Sequence, residues 1–592
     1  MGIVSPWRRL RSARGVPSPQ LLLVALAYVG LAAAWSVCLP LGEAPDEPGH
    51  YNYARIVAAE GRLPAAQEEH EAFQPPLYYA MASVLVRLGD ASRLPLVANA
   101  DFRLDGRGSV NLLLHSREEA FPWAGWALGW HLQRLLSLSL GLLSLYGIYT
   151  CAIAIGAGAA CAAMAAGLFC LTPQFTMLHG SATNDSLALC LGVWLFCGLL
   201  RLKHRGFSER RLLALGAIWG LGVLAKASLL AAAPAILLSA WWGSGGSCAP
   251  GGSRHIGRAM TGTLLVLCGA GIVCGWWLAR NALVHGGPLG EQLIRQTNAV
   301  RSEPPNWGAE LWGLYRSYWF RYVGLGLPEW LYLALLVPTL GALGALLIGG
   351  LRARQRQELS LRACALGLLW VGAFFAAWVR WALTVQGTDQ ARLLYPALAP
   401  PVALAAGATC ALLRPHRGAR LAMASILLIA GLNLYAFGCR MLPAFAPAPR
   451  VLLASVPDAG KPVQFGDALA LLAYRFLPEV PAGGELTLEM WWEVRRPAPP
   501  NLLLELRLTA PDGSVPAWKR GSPSAGRDTT DRWASGAAIY SVHRLAVPRE
   551  LPPGSYSLQA GVLEAEGGQW WLPDGMAQPI VTLGTVSVAD QG

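Results

Sequence analysis

Between residues 18 and 440, apolar runs long enough to cross a bilayer alternate with short polar connections; beyond that the pattern changes period. A hydrocarbon core about 30 Å thick needs about 20 apolar residues per helix. The first such run begins after Pro17 and ends near Leu41. Others start near His131, Ala159, Ser186, Leu212, Leu229, Met260, Glu329, Leu361, Leu393 and Leu421, which predicts about eleven spans. The first run is longer than a signal-peptide core and is expected to remain as an anchor, with Ala32 to Ala34 leaving cleavage as the minor alternative.

Two stretches break this rhythm. Residues 42–130 form a long connection with amphipathic, aromatic-rich pieces at His50 to Ala59 and Pro75 to Leu88, which predict helices at a membrane surface. After residue 455 the period shortens. Strand-like runs at Glu485–Val494, Asn501–Thr509, Ala537–Val547, Ser555–Leu563 and Pro579–Val588 are separated by turns such as Pro511-Asp512-Gly513 and Pro552-Pro553-Gly554. Five or more short strands predict a β-sandwich. Pro443 to Pro449 read as a stiff link to it. The expected fold class is an all-α polytopic membrane bundle with a C-terminal β-sandwich. Its parts are a cytoplasmic N-terminus (1–17), a membrane domain (18–440) with the large first loop, a linker (441–454) and the β domain (455–592).

Composition agrees. Of 592 residues 54% are hydrophobic and 14% charged, with a mean hydropathy of +0.39, where soluble domains carry about 25% charge. The net charge of +12 raises a nucleic-acid reading. It fails on distribution, because the arginines fall in clusters between apolar runs and not along one face. Those clusters fix a topology instead: Arg8 to Arg14, Arg201 to Arg211, Arg254 with Arg258, Arg352 to Arg356 and Arg414 to Arg420. Alternate threading of the spans puts all of them on the side of the N-terminus, as the positive-inside rule requires. The first loop, residues 281–328 and everything after about 440 are then extracytoplasmic. Twelve cysteines lie in or near apolar runs, none after Cys439 and none at metal-ligand spacing. Such cysteines are expected as small apolar packers.

Three groups of residues could carry chemistry on the outer side. Asp46-Glu47 follows the first span between Pro45 and Pro48; prolines favour a turn there that holds two carboxylates at the surface. Such a carboxylate can take a proton from an attacking hydroxyl, though a solvated acid or a helix N-cap is the plainer reading. His50 could contact a metal or an acceptor, and is otherwise structural. Asn184-Asp185 lies in a short outer turn, as a second acid or as a helix cap. Arg280, Arg316, Arg321 and Arg392 are cations on the side where they are rare; guanidinium groups clamp phosphate, but they also snorkel or pair with acids. Lys226, at the outer end of its span, has the same two readings.

The segment Ala44-Pro45-Asp46-Glu47-Pro48-Gly49-His50, followed by Gln74-Pro75-Pro76-Leu77-Tyr78-Tyr79, resembles the first loop of GT-C glycosyltransferases, most closely the bacterial family 39 (protein mannosyltransferase-like) and related membrane families. Arg134, Pro173-Gln174-Phe175 with Asn184-Asp185, Lys226, Trp277 with Arg280-Asn281, and Arg392 with Tyr395-Pro396 match its later landmarks in order, over residues 18–440. The β-rich tail resembles a domain often appended to such proteins. The resemblance implies inverting transfer of a sugar from a polyprenyl phosphate to a hydroxyl of a lipid, glycan or protein acceptor, in a bacterial inner membrane with the C-terminal domain outside. It places the general base on Asp46. Glu47 and Asp185 would line the acceptor site or bind a divalent cation, which some members need; Arg280, Arg392 and Lys226 would hold the departing phosphate. Where many members carry Tyr three positions after Asp-Glu, this chain has His50, which leaves subfamily and sugar open.

Two other classes compete. A transporter would show ionisable residues at mid-membrane and repeated broken helices, whereas the charges here gather at one surface. A non-catalytic scaffold presenting the β domain would not explain that gathering. In the tail, Trp491, Trp492, Trp570 and Trp571 could stack on sugars, but paired tryptophans in a sandwich more often form its core.

Overall fold

The computed structural model describes residues 18–103, 108–205, 208–245, 253–355, 361–412, 415–496 and 501–589. The arginines of residues 1–17 lie outside them. The chain forms two compact units, one of residues 1–39, 44–94 and 125–441, the other of residues 40–43, 95–124 and 442–592.

The first unit is helical, and helices begin near each of the expected starts. By length and composition, however, six among the described residues can cross a membrane: Pro19–Cys38, Gly125–Ile155, Ile256–Val284, Glu329–Ile348, Ala365–Ala382 and His416–Ala444. A seventh span results if Ala159–Cys170 and Pro173–His179, bent by 71° at their break, count as one. The expected count of about eleven is not confirmed among the described residues. Pro173 bends one run, and Lys226, in an extended conformation (ψ 128°), closes helix Glu209–Ala225. Four shorter apolar helices remain, at Leu77–Val86, Asp185–Leu200, Ala227–Trp242 and Ala391–Ala406.

Packing between helices uses small residues and buried polar ties. A Cβ on Gly216 would come within 2.1 Å of the Val266 carbonyl oxygen, so helix Glu209–Ala225 meets helix Ser253–Val284 backbone to backbone. Trp35 Nε1 donates to Asn433 Oδ1 at 2.9 Å, and Asn433 Nδ2 donates to Leu171 O and Thr176 Oγ1. Cys151 and Cys197, expected as separate apolar packers, are joined in a disulfide with their Cα atoms 5.4 Å apart.

The second unit contains two sheets. One has the order Arg450–Val451, Ala538–Ala546, Glu485–Val494, Leu469–Phe476, Val463–Phe465. The other runs Glu479–Pro481, Ile580–Ala589, Gly554–Glu564, Leu502–Thr509, Ala517–Gly521, with Trp570–Trp571 paired to Gly554–Glu564. Alternate residues of both sheets enter one core, among them Leu488, Met490 and Trp492 from the first and Leu504, Leu506, Leu558 and Val586 from the second. Trp492 is wholly buried in that core and Trp571 packs against it, whereas Trp491 lies on the other face of its strand against Tyr540 and Trp570 is partly exposed beneath Arg520; the core reading holds for Trp492 and Trp571. Arg450–Val451, within the stretch expected as a linker, is an edge strand.

Part of the first loop belongs to this unit. Asn99 Nδ2 and Ser109 Oγ donate to Gly526 O at 3.0 and 2.8 Å, and Asn111 Nδ2 donates to Arg527 O. His115 lies buried between Glu43 and Glu119, each at 2.9 Å. Burial disfavours its cation, but Glu119 and then Glu43 outweigh that and raise it to about 9.

Candidate functional site

Asp46 adopts a left-handed conformation (φ 57°, ψ 10°) at the head of helix Glu47–Glu60. An aspartate tolerates this region better than most residues, and the flanking prolines restrict the alternatives. Its side chain makes no capping bond, so the N-cap reading does not apply. The carboxylate, 38% exposed, is paired with the buried guanidinium of Arg392. Removal from water favours the neutral acid, but Arg392, and then His50, outweigh it and hold Asp46 well below the usual carboxylate range.

Arg392 opens the short turn Ala391–Leu394 ahead of helix Tyr395–Ala411, and reaches Asp185 Oδ2 at 3.3 Å. The other oxygen of Asp185 takes Lys226, at the end of helix Glu209–Ala225. Four charges from four separate segments therefore alternate in sign: Asp46, Arg392, Asp185, Lys226. Asp185 spends its carboxylate on these cations. Its neighbour Asn184 is buried and donates to Gln74 Oε1 at 3.0 Å, tying the Asn184-Asp185 turn to the Gln-Pro-Pro segment.

Glu47 stands elsewhere. It is fully buried, and Arg134 grips it by a fork of two 2.7 Å bonds while the Ala182 amide donates at 2.8 Å. Arg134 spends Nη1 on the carbonyls of Ser36 and Leu39. A carboxylate so enclosed has no face open to a substrate, so its expected catalytic or metal-side role is replaced by an anchoring one. His50 is similarly enclosed: Nδ1 meets Tyr79 Oη at 2.9 Å, and Nε2 lies 3.5 Å from Thr183 Oγ1. Burial lowers it to about 4, so it is neutral at ordinary pH.

Arg280 does not join the four-charge chain. Its guanidinium lies 5.1 Å from the Trp277 ring centroid and bonds Asn281 Oδ1 at 3.2 Å. Arg321 pairs with Asp389 at 2.7 Å and Arg316 with Glu329 at 3.6 Å, which accounts for both as partners of acids.

Two residues at the site were not singled out from sequence. Asp46, His70 and Glu71 each offer a ligand atom within 4.8 Å of the other two. Burial, then the charge of Asp46, pushes Glu71 up to about 7. A hydrogen bond to Glu69, at 2.7 Å, draws His70 up to about 9. The available signal was the run Glu68-Glu69-His70-Glu71 just before Gln74-Pro75-Pro76, which gains meaning once the turn carries it back to Asp46.

No family model matches the chain, and neither does any curated protein. Among solved structures it is similar to ArnT from Cupriavidus metallidurans bound to undecaprenyl phosphate, with 15% identity and a TM-score of 0.45 over 73% of this chain and 65% of that one. The apo state of ArnT gives 17% identity and a TM-score of 0.39, covering 67% and 60%. The S. cerevisiae protein O-mannosyltransferase Pmt1-Pmt2 complex bound to the sugar donor gives 15% and 0.33, covering 53% and 39%. These neighbours are GT-C superfamily membrane glycosyltransferases. The chain spans less than two thirds of the length of each, and at TM-scores below 0.5 the likeness assigns it no function.

Proposed function

We propose that the protein is a GT-C type glycosyltransferase of a bacterial inner membrane, moving a sugar from a polyprenyl phosphate to a hydroxyl acceptor on the extracytoplasmic face. The observation that carries this reading is the pairing of the accessible Asp46 with Arg392, itself tied to Asp185 and Lys226. A half-exposed base beside a buried guanidinium is what an attacking hydroxyl and a leaving phosphate need.

In the proposed reaction the acceptor O–H gives its proton to Asp46 while its oxygen bonds to the sugar C1. The C1–O bond to phosphate breaks on the opposite face, inverting the centre. Arg392 and Lys226 take up the charge growing on the polyprenyl phosphate. When Arg392 turns to the phosphate, Asp46 loses the partner that depresses its basicity and becomes a better proton acceptor. Asp185 keeps both cations aligned before the donor arrives. Arg280, expected as a third phosphate group, stacks on Trp277 and is assigned to donor binding only through the motif resemblance.

The resemblance also raises a divalent cation. The Asp, His and Glu donors of Asp46, His70 and Glu71 suit one, and Glu71 Oε2 is buried without a hydrogen-bond partner. These three residues would hold it, and it would supply positive charge near the reacting hydroxyl. Glu47 and Asp185, the first expected ligands, have their carboxylates engaged by Arg134 and by Lys226 and Arg392.

The test is turnover by the purified, membrane-reconstituted protein across a panel of polyprenyl-phosphate sugars, reading release of polyprenyl phosphate. Release that depends on an added acceptor is the expected result. Vectorial movement of intact donor without release would favour a transporter.

A further inference from the structure

The second sheet of the β-rich unit turns one face to its core and presents an aromatic and polar surface on the other. In strand Ala517–Gly521, at the edge of that sheet, Ala517 enters the core, and alternation sends Trp518 and Arg520 to the opposite face. Trp518 is 61% exposed. A large apolar ring in the open on an edge strand is a liability that proteins ordinarily avoid.

Arg520 is held beside that ring from two directions. Glu505 on the neighbouring strand accepts from its Nη2 at 2.7 Å and its Nε at 3.1 Å. Trp570 lies 5.8 Å from the guanidinium, and the Trp518 ring 6.0 Å from it. The seat of Trp570 depends on Gly561, where a Cβ would come within 2.7 Å of the indole. The result is an exposed indole next to a guanidinium whose charge is balanced and whose position is fixed.

Hydrogen-bonding side chains continue the same face. The register aligns Trp518 with Arg507, Arg507 with Gln559, and Gln559 with Thr582, across four strands. Thr509 Oγ1 donates to Gln559 Oε1 at 2.8 Å, and Gln559 Nε2 donates to Thr582 Oγ1 at 3.3 Å in an exposed pair. A face that docks on a protein or a bilayer joins its apolar side chains into one patch. Here the exposed indole is followed by a row of guanidinium, amide and hydroxyl groups. A sugar has the matching pair of surfaces: an apolar C–H face for the indole and a rim of hydroxyls for the polar row. That C–H face is flattest when the hydroxyls are all equatorial, as in a gluco-configured ring.

We propose that this face binds a neutral oligosaccharide of gluco-configured rings. One ring stacks on Trp518, the next reaches Arg520 and Trp570, and hydroxyls bond Gln559 and Thr582. The residues are separate from the Asp46 network, and the proposal does not depend on the proposed transfer reaction.

Isothermal titration of the full-length protein in phosphatidylcholine nanodiscs, which carry no sugar headgroup, tests this. The probes are cellotetraose, chitotetraose, glucose and glycerol 3-phosphate. At least one tetrasaccharide is expected to bind about tenfold or more tighter than glucose. Trp518→Ala, a change at an exposed side chain, should weaken it by about tenfold or more with the unfolding temperature unchanged. Trp518→Tyr should keep most of the binding, because a ring remains to stack on. Absence of binding by both tetrasaccharides, or binding unaltered in Trp518→Ala, would overturn the proposal. Binding of glycerol 3-phosphate that depends on Trp518, without binding of either sugar chain, would overturn it in favour of a lipid-headgroup surface.

Discussion

Asp46 and Glu47 are neighbours in the chain and belong to charge networks of opposite kinds. Around Glu47 every group is closed: the acid and Arg134 are both fully buried, and the fork, an amide and two carbonyls use their bonding capacity. Around Asp46 the network is open, since its side chain is 38% exposed and the Lys226 end of the chain 14% exposed. A closed ion pair in a low-dielectric interior holds elements in place, because breaking it strands a charge. An open one can exchange a protein partner for a substrate group. The left-handed turn at Asp46 makes the division possible, since it sends two consecutive carboxylates into different surroundings.

Predictions that break or sharpen this contrast begin with the closed side. Glu47→Ala leaves Arg134 uncompensated in the interior, at a cost of about 3–5 kcal/mol. Thermal unfolding in detergent should show a large loss of stability or no folded protein, and an unchanged unfolding temperature would remove the anchoring role.

His115 is a closed site that titrates. Its pKa is raised from 6.5 to about 9 in the folded protein, so its stabilising contribution is fully present below pH about 6.5 and lost as pH rises through about 9. The size is on the order of 3 kcal/mol. Stability measured against pH should decline over that window in the wild type, and the decline should shrink in His115→Gln.

Arg392→Lys keeps a positive charge but loses the fork that spans Asp46 and Asp185. Turnover should fall by roughly tenfold to a hundredfold with a small shift in unfolding temperature. A variant as active as wild type would show that a point charge suffices. Arg321→Ala breaks a pair exposed at both ends (39% and 34%) and should cost less than about 1 kcal/mol, with turnover unchanged.

Much of this was legible in the sequence because it is local. Apolar runs located the helices, and the two-residue alternation of Glu485–Val494 located that strand to the residue. Strands Leu469–Phe476 and Ala517–Gly521 escaped, the first as a nearly continuous buried run and the second as a strand rich in polar residues. The span count is not settled by the helices, because several apolar ones, such as Asp185–Leu200 and Ala227–Trp242, fall short of spanning length among the described residues. At the site, Asp46, Asp185, Lys226 and Arg392 were each visible as charges at turns expected on the outer side. Their pairing, and the enclosure of Glu47 by an arginine 87 residues away, depend on tertiary packing that spacing does not encode. His70 and Glu71 escaped for the same reason.

The division between the two acids is tested most directly by Asp46→Asn, measured for polyprenyl-phosphate release and thermal unfolding on the same preparation. The amide keeps the shape and a hydrogen-bond partner for Arg392 but cannot accept the acceptor's proton. Turnover should fall by about 10²–10⁴-fold while the unfolding temperature stays close to that of wild type. Wild-type turnover in this variant would contradict Asp46 as the base, and loss of folding would place it with Glu47 among the anchoring residues.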